Sequence, residues 1–125
     1  MKSPLKITNA AIGSVLEEVN FEYYRYEGDS YSCLNDISLR FEGGLNLIFS
    51  CRGDGSVLVS KGELKLHHGI PGLINAYIES TDAFSGEQLM DANFKDSTLR
   101  LIFTNNILVL RNTNDELVMM MGRKR

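Results

Sequence analysis

His67-His68 is the only pair of histidines in the chain, and with Cys33 and Cys51 it is where metal or nucleophilic chemistry would first be sought. Neighbouring residues on a strand point to opposite faces, so two adjacent imidazoles do not readily close on one ion. No Cys or carboxylate stands at ligand spacing around them, and Gly69-Ile70-Pro71-Gly72 reads as a turn. The pair is expected in a solvated loop, with no metal site. A Cys–His nucleophile would need Cys33 or Cys51 carried to His67 by the fold, and no local signature supports that. Glu17-Glu18 are adjacent on an expected strand and diverge, so they read as surface charge. Asp54-Gly55-Ser56 lacks the spaced acidic ligands of a calcium loop. Arg52-Gly53-Asp54 falls between two expected strands, where a turn accounts for it. The sequence holds no GxSxG, P-loop or GxGxxG pattern. The expectation is a protein without catalysis and without a cofactor.

The 125 residues, 43% hydrophobic and 23% charged, suit one folded domain over the whole chain. A net charge of -3 argues against nucleic acid as the main partner and suits a basic one. Apolar runs such as Ile107 to Leu110 are far below membrane-spanning length, and no apolar leader follows Met1. A cytoplasmic protein is expected, with two free thiols, one of them buried. The basic end Gly122-Arg123-Lys124-Arg125 reads as a frayed terminus. In Met119-Met120-Met121 the outer two share a face and fill core gaps.

An internal repeat organises the elements. Residues 5–21 align with residues 78–94 without a gap, at an offset of 73. Thr8, Ala10, Gly13, Leu16, Asn20 and Phe21 recur as Thr81, Ala83, Gly86, Leu89, Asn93 and Phe94. Further on, Leu39 to Leu47 parallels Leu101 to Val109, each a strand, a two-residue turn and a strand. Gly43-Gly44 and Asn105-Asn106 would supply the positive φ that type I′ turns require. Asp54 to Val59 parallels Asn114 to Met119 as a turn and a short strand. The reading is mainly β: two duplicated meander units, 5–60 and 78–120, joined by a connector at 61–77. They pack as an antiparallel β-sandwich or close into a barrel. Alternation predicts buried rows containing Phe21, Phe41, Phe94 and Phe103, with Ile107 and Val109 among them. Two stretches, Thr8 to Leu16 and Ile70 to Ile78, fit either a short helix or a strand.

The copies differ most between Phe21 and Leu39, where the first carries 11 extra residues. Residues 22–38 hold four of the five tyrosines, and four carboxylates against the lone Arg25 give a local charge of -3. Tyrosine supplies large contact area at low entropic cost, and flanking acids steer a basic partner. Glu22, Tyr24, Tyr26, Glu27, Asp29, Tyr31 and Asp36 are therefore the candidate partner-binding residues. The alternative is a pair of lengthened strands turning at Gly28-Asp29, with tyrosines alternating between core and solvent.

The pattern Gly86-x-x-Leu89-x-x-Ala92-x-Phe94, then Leu99-x-Leu101-x-Phe103-x-Asn105-Asn106-x-Leu108, resembles small bacterial β-proteins. Some of these are, or accompany, immunity proteins of toxin–immunity systems such as contact-dependent growth inhibition. The resemblance is one of strand-and-turn pattern and transfers no family site. It implies a cytoplasmic, non-catalytic protein that holds a cognate toxin, often a basic nuclease domain, without binding nucleic acid or membrane. A β-barrel or β-sandwich holding a small ligand between its sheets is the competing expectation.

Overall fold

The computed structural model describes residues 4–51, 56–113 and 116–123. The turns expected at 52–55 and 114–115, and Lys124-Arg125 of the basic end, lie outside the described residues. A short helix, α1 (Leu5–Asn9), leads into β1 (Leu16–Tyr26), β2 (Cys33–Phe41), β3 (Asn46–Cys51) and β4 (Val57–Lys61). After the connector come β5 (Leu73–Thr81), β6 (Leu89–Lys95), β7 (Thr98–Phe103), β8 (Asn106–Thr113) and β9 (Glu116–Arg123). All pairings are antiparallel, in a five-stranded sheet ordered β4-β3-β2-β1-β5 and a four-stranded sheet ordered β6-β7-β8-β9. The two form a sandwich and do not close into a barrel.

The repeated segments meet each other directly. Gly13 N–H donates to the Leu89 carbonyl and Gly86 N–H to the Leu16 carbonyl, both at 2.8 Å. Leu16 N–H donates to Glu87, and Leu89 N–H to Ser14. Under the offset of 73 each pair of bonds maps onto the other, with the Val15–Gln88 bridge at the centre. The turns that lead in correspond as well: Ser14 N–H bonds to Ala11, and Glu87 N–H to Phe84. Gly13 and Gly86 end those turns at φ of 93° and 86°, where a side chain would be strained. The register irregularity between Leu16 and Glu18 opposite Phe41 recurs between Leu89 and Asp91 opposite Phe103.

Alternation along the strands sends one row of each sheet inward. Leu39, Ile37, Leu47 and Phe49 from one sheet meet Leu99, Leu101, Phe103, Leu108 and Leu110 from the other, all at 0% exposure. The buried Asn112 amide links β8 to the segment before β4, donating to the Ser56 carbonyl at 2.8 Å. Having that partner offsets the cost of burying it.

Several sequence expectations need correction. The first hairpin turns through three residues, Glu42 to Gly44, closed by Phe41 N–H to the Leu45 carbonyl. The second turns through Thr104-Asn105, because Ile102 pairs with Ile107. That one-residue difference flips β8, so Leu108 and Leu110 are buried and Ile107 and Val109 face outward. The left-handed pair in the second unit is Asp96-Ser97, at φ of 52° and 59°, rather than Asn105-Asn106. Only Thr8 and Asn9 of the first ambiguous stretch are helical, and the second is strand β5 from Leu73 onward. Here the symmetry breaks: Leu5 to Thr8 is helix where Ile78 to Thr81 is strand. Phe94 is half-buried, because β6 is an edge strand whereas β1 lies between two neighbours. Neither thiol is fully buried: Cys33 is exposed and Cys51 half-buried. Met119 packs on the core, but Met121 is 43% exposed.

Removing a ring from the filled interior leaves a cavity, so Phe103→Ala is expected to cost about 3–5 kcal/mol in urea titration. Phe94→Ala is expected to cost less than half as much, since its ring already borders solvent. Equal losses at the two positions would contradict this packing.

Candidate functional site

The extra residues of the first unit lengthen β1 and β2 into a hairpin that extends past the counterpart β6–β7. β1 runs for 11 residues and β6 for 7. The added part of β1 is also paired on its other side, with Tyr24 opposite Ala76 and Tyr26 opposite Leu73 in β5. At the tip, Tyr26 N–H donates to Asp29 Oδ2 and Asp29 N–H to the Tyr26 carbonyl, each at 3.1 Å. Gly28, at φ of 90°, lets the chain reverse there. Glu27 N–H donates to the Gly72 carbonyl at 2.7 Å, which anchors the tip to the start of β5. Tyr31 stands beyond it at 74% exposure, with Tyr26 at 36% and Glu27 also exposed.

The remaining candidates lie elsewhere. β4 and β5 occupy opposite edges of their sheet, so residues 62–72 must cross its outer face to join them. Gly62 N–H bonds to the Asn46 carbonyl on β3, and His67 N–H donates to Tyr24 Oη on β1 at 2.7 Å. Tyr24 is 4% exposed and Glu22 is 2% exposed. These two residues, with half-buried Asp36 beside Glu22, belong to the packed interior of the outer face rather than to an open surface. The tip itself keeps Glu27 and Asp29 against Arg25, a milder charge than the sequence segment suggested.

Glu22 Oε1 accepts from Asn35 Nδ2 at 2.6 Å. Burial pushes its carboxyl above the ordinary value of 4.5, and the Asp36 charge adds to the rise. The Asn35 hydrogen bond and nearby His67 oppose it without cancelling it. Burial likewise pushes the Tyr24 phenol up. Asn35 was not among the residues the sequence singled out, and nothing in the sequence reading placed the connector over Glu22 and Tyr24. The one signal for the connector was the alternation of Leu64 and Leu66 in a stretch otherwise read as linker.

Among the described residues no group of three or more His, Cys, Asp or Glu could hold a metal ion. His67 and His68 are both exposed in the connector. No described helix is long and apolar enough to cross a membrane. The outer face of the four-stranded sheet carries a surface that the sequence reading did not single out. Cross-strand pairing sets Arg100 beside Val109 and Val109 beside Met120, with Arg111 beside Val118 in the next row. Met120 is 52% and Val118 is 41% exposed. Comparison with known proteins gave no match to a family model, a curated protein or a solved structure.

Because the folded pKa of Glu22 lies above its unfolded value, protonation favours the native state. Its contribution is greatest below 4.5 and declines as pH rises through the window up to the raised folded value. Glu22→Gln retains the acceptor for Asn35 and removes the charge. It is expected to be more stable than wild type at neutral pH, with the gap narrowing as pH falls through the raised folded value and closed below 4.5. Denaturation curves across pH test this, and a variant less stable at neutral pH would show the charge to be stabilising.

Proposed function

We propose that the protein is a non-catalytic protein-binding domain that engages its partner through the tip of the β1–β2 hairpin. The carrying observation is Tyr31, a large amphipathic ring left 74% exposed on a hairpin extended past its counterpart. A ring in that setting can bury its area in a partner's pocket with little loss of side-chain freedom. Tyr26 and the Glu27 and Asp29 carboxylates surround it, which suits a basic partner. With the strand-and-turn resemblance described above, the reading is an immunity protein. It would act in the cytoplasm by masking a cognate bacterial toxin, such as a basic nuclease domain. The space between the sheets is filled by Phe41, Phe49, Phe103 and aliphatic side chains, which favours a surface role over a ligand held there.

The test is capture of the partner from the source cells, followed by binding kinetics and a toxicity assay. Tyr31→Ala is expected to weaken binding by about 2 kcal/mol or more. Glu27→Gln with Asp29→Asn is expected chiefly to slow association and flatten its salt dependence. Arg100→Ala, on the opposite sheet's outer face, serves as the control and should leave affinity unchanged. An affinity indifferent to Tyr31 but sensitive to Arg100 or Met120 would place the partner on the four-stranded sheet. A captured partner that is harmless to cells would sink the immunity reading and leave the binding site standing.

A further inference from the structure

The connector covers Glu22 and Tyr24 but leaves a cleft of about 220 Å³ where it leaves β4 and crosses the sheet. That is smaller than the roughly 300–1,000 Å³ of pockets for drug-sized ligands, and suits a small metabolite. Its floor is an unusual surface for a sheet to place under a covering segment. Where apolar side chains would pack a strap most simply, the row holds Ser38 and Asn20 in cross-strand register, continued outside the cleft by the exposed Ser80. Ser80 Oγ donates to Asn20 Oδ1 at 2.5 Å, and Asn20 Nδ2 donates to Ser38 Oγ at 3.2 Å. Ser38, only 4% exposed, accepts there and keeps its own hydroxyl proton to donate.

Beside this row Asn46 donates to Glu63 Oε1 at 3.5 Å, which orients its amide. Its Oδ1 is buried and accepts no hydrogen bond among the described residues. An acceptor buried without a donor is costly, and a turn of the Asn46 amide toward the cleft that its side chain lines would let a ligand donor meet it. The rim adds a cation and an anion, Arg40 and Glu63, and an apolar wall from Leu64 and Ile78. One Arg40 nitrogen lies 3.5 Å from Glu18 Oε2, a long contact for a guanidinium that carries five N–H donors.

We propose that this cleft binds a free α-amino acid with an aliphatic side chain. The ammonium, which only donates, meets Asn46 Oδ1 and the Glu63 carboxylate. The carboxylate, which only accepts, meets Arg40 and the Ser38 hydroxyl. The side chain lies against Leu64 and Ile78. Both ligand charges are thereby paired, as partial burial requires.

Calorimetric titration and thermal melting of the intact chain with L-leucine test the assignment, with isoamylamine and 4-methylpentanoate as its two half-molecules. Leucine is expected to bind and to raise the melting midpoint with concentration, and each half-molecule to bind at least about tenfold more weakly. Arg40→Gln lies on the surface and should weaken leucine about tenfold without changing the melting midpoint of the free protein. Asn46→Leu removes the orphaned oxygen and should also abolish binding. Absence of leucine binding at millimolar concentration overturns the proposal, since an ordered water would then suffice for Asn46. Equal binding of either half-molecule, or binding indifferent to both substitutions, overturns it too.

Discussion

Four backbone hydrogen bonds between residues 13–16 and 86–89 hold the two sheets in their mutual arrangement. β1 and β6 each begin at this contact, so the place where the sheets are tied is also where each sheet starts. β2 to β4 and β7 to β9 inherit their positions from them through hairpin pairing, and β5 pairs with β1 from across the connector. Because the bonds are reciprocal, a shift of one segment against the other would break all four together. The two positive-φ glycines that end the preceding turns bring the N–H groups of residues 13 and 86 to their acceptors. Below the contact, the side chains of Leu16, Leu89, Phe41 and Phe103 are at or near zero exposure, so the polar tie sits directly against the apolar interior.

The sheets depart from symmetry where the chain must travel between units. β5 continues the first sheet beyond β1, whereas the matching residues 5–8 form a helix that packs near β6 and β4. With β4 and β5 on opposite edges, the connector has to cross the outer face, and that crossing divides the face into two regions. Over the β1–β2 extension it seals a carboxylate and a phenol. Nearer β4 it leaves a polar cleft. At the tip of the hairpin Tyr26 and Tyr31 remain exposed.

The tyrosine-rich segment shows why composition overstated the surface. Residues 22–36 do carry the charge and aromatics counted from the sequence. Tyr23 faces inward and stacks on Tyr77 with ring centroids 5.3 Å apart. Tyr24 faces outward, yet is covered by a segment more than forty residues away in the chain. A period-two pattern tells which side of the sheet a residue takes. It does not tell whether something lies over that side.

The residues by themselves determined the β character, the correspondence of the Gly13 and Gly86 turns with the strands they lead into, and the burial of Phe21, Phe41 and Phe103. All of these follow from local periodicity and from glycines needed at turns, which are properties of short stretches. The inward row of β8 was misread because one residue more or less in a hairpin turn reverses every side chain after it. Turn length was not legible in Thr104-Asn105-Asn106, where several turns suit the same residues. Strand order, the path of the connector, the sealing of Glu22 and Tyr24, and the cleft at Asn46 were decided only by tertiary structure. Each depends on which distant strands become neighbours, and that is settled by the joint packing of both sheets rather than by any one segment.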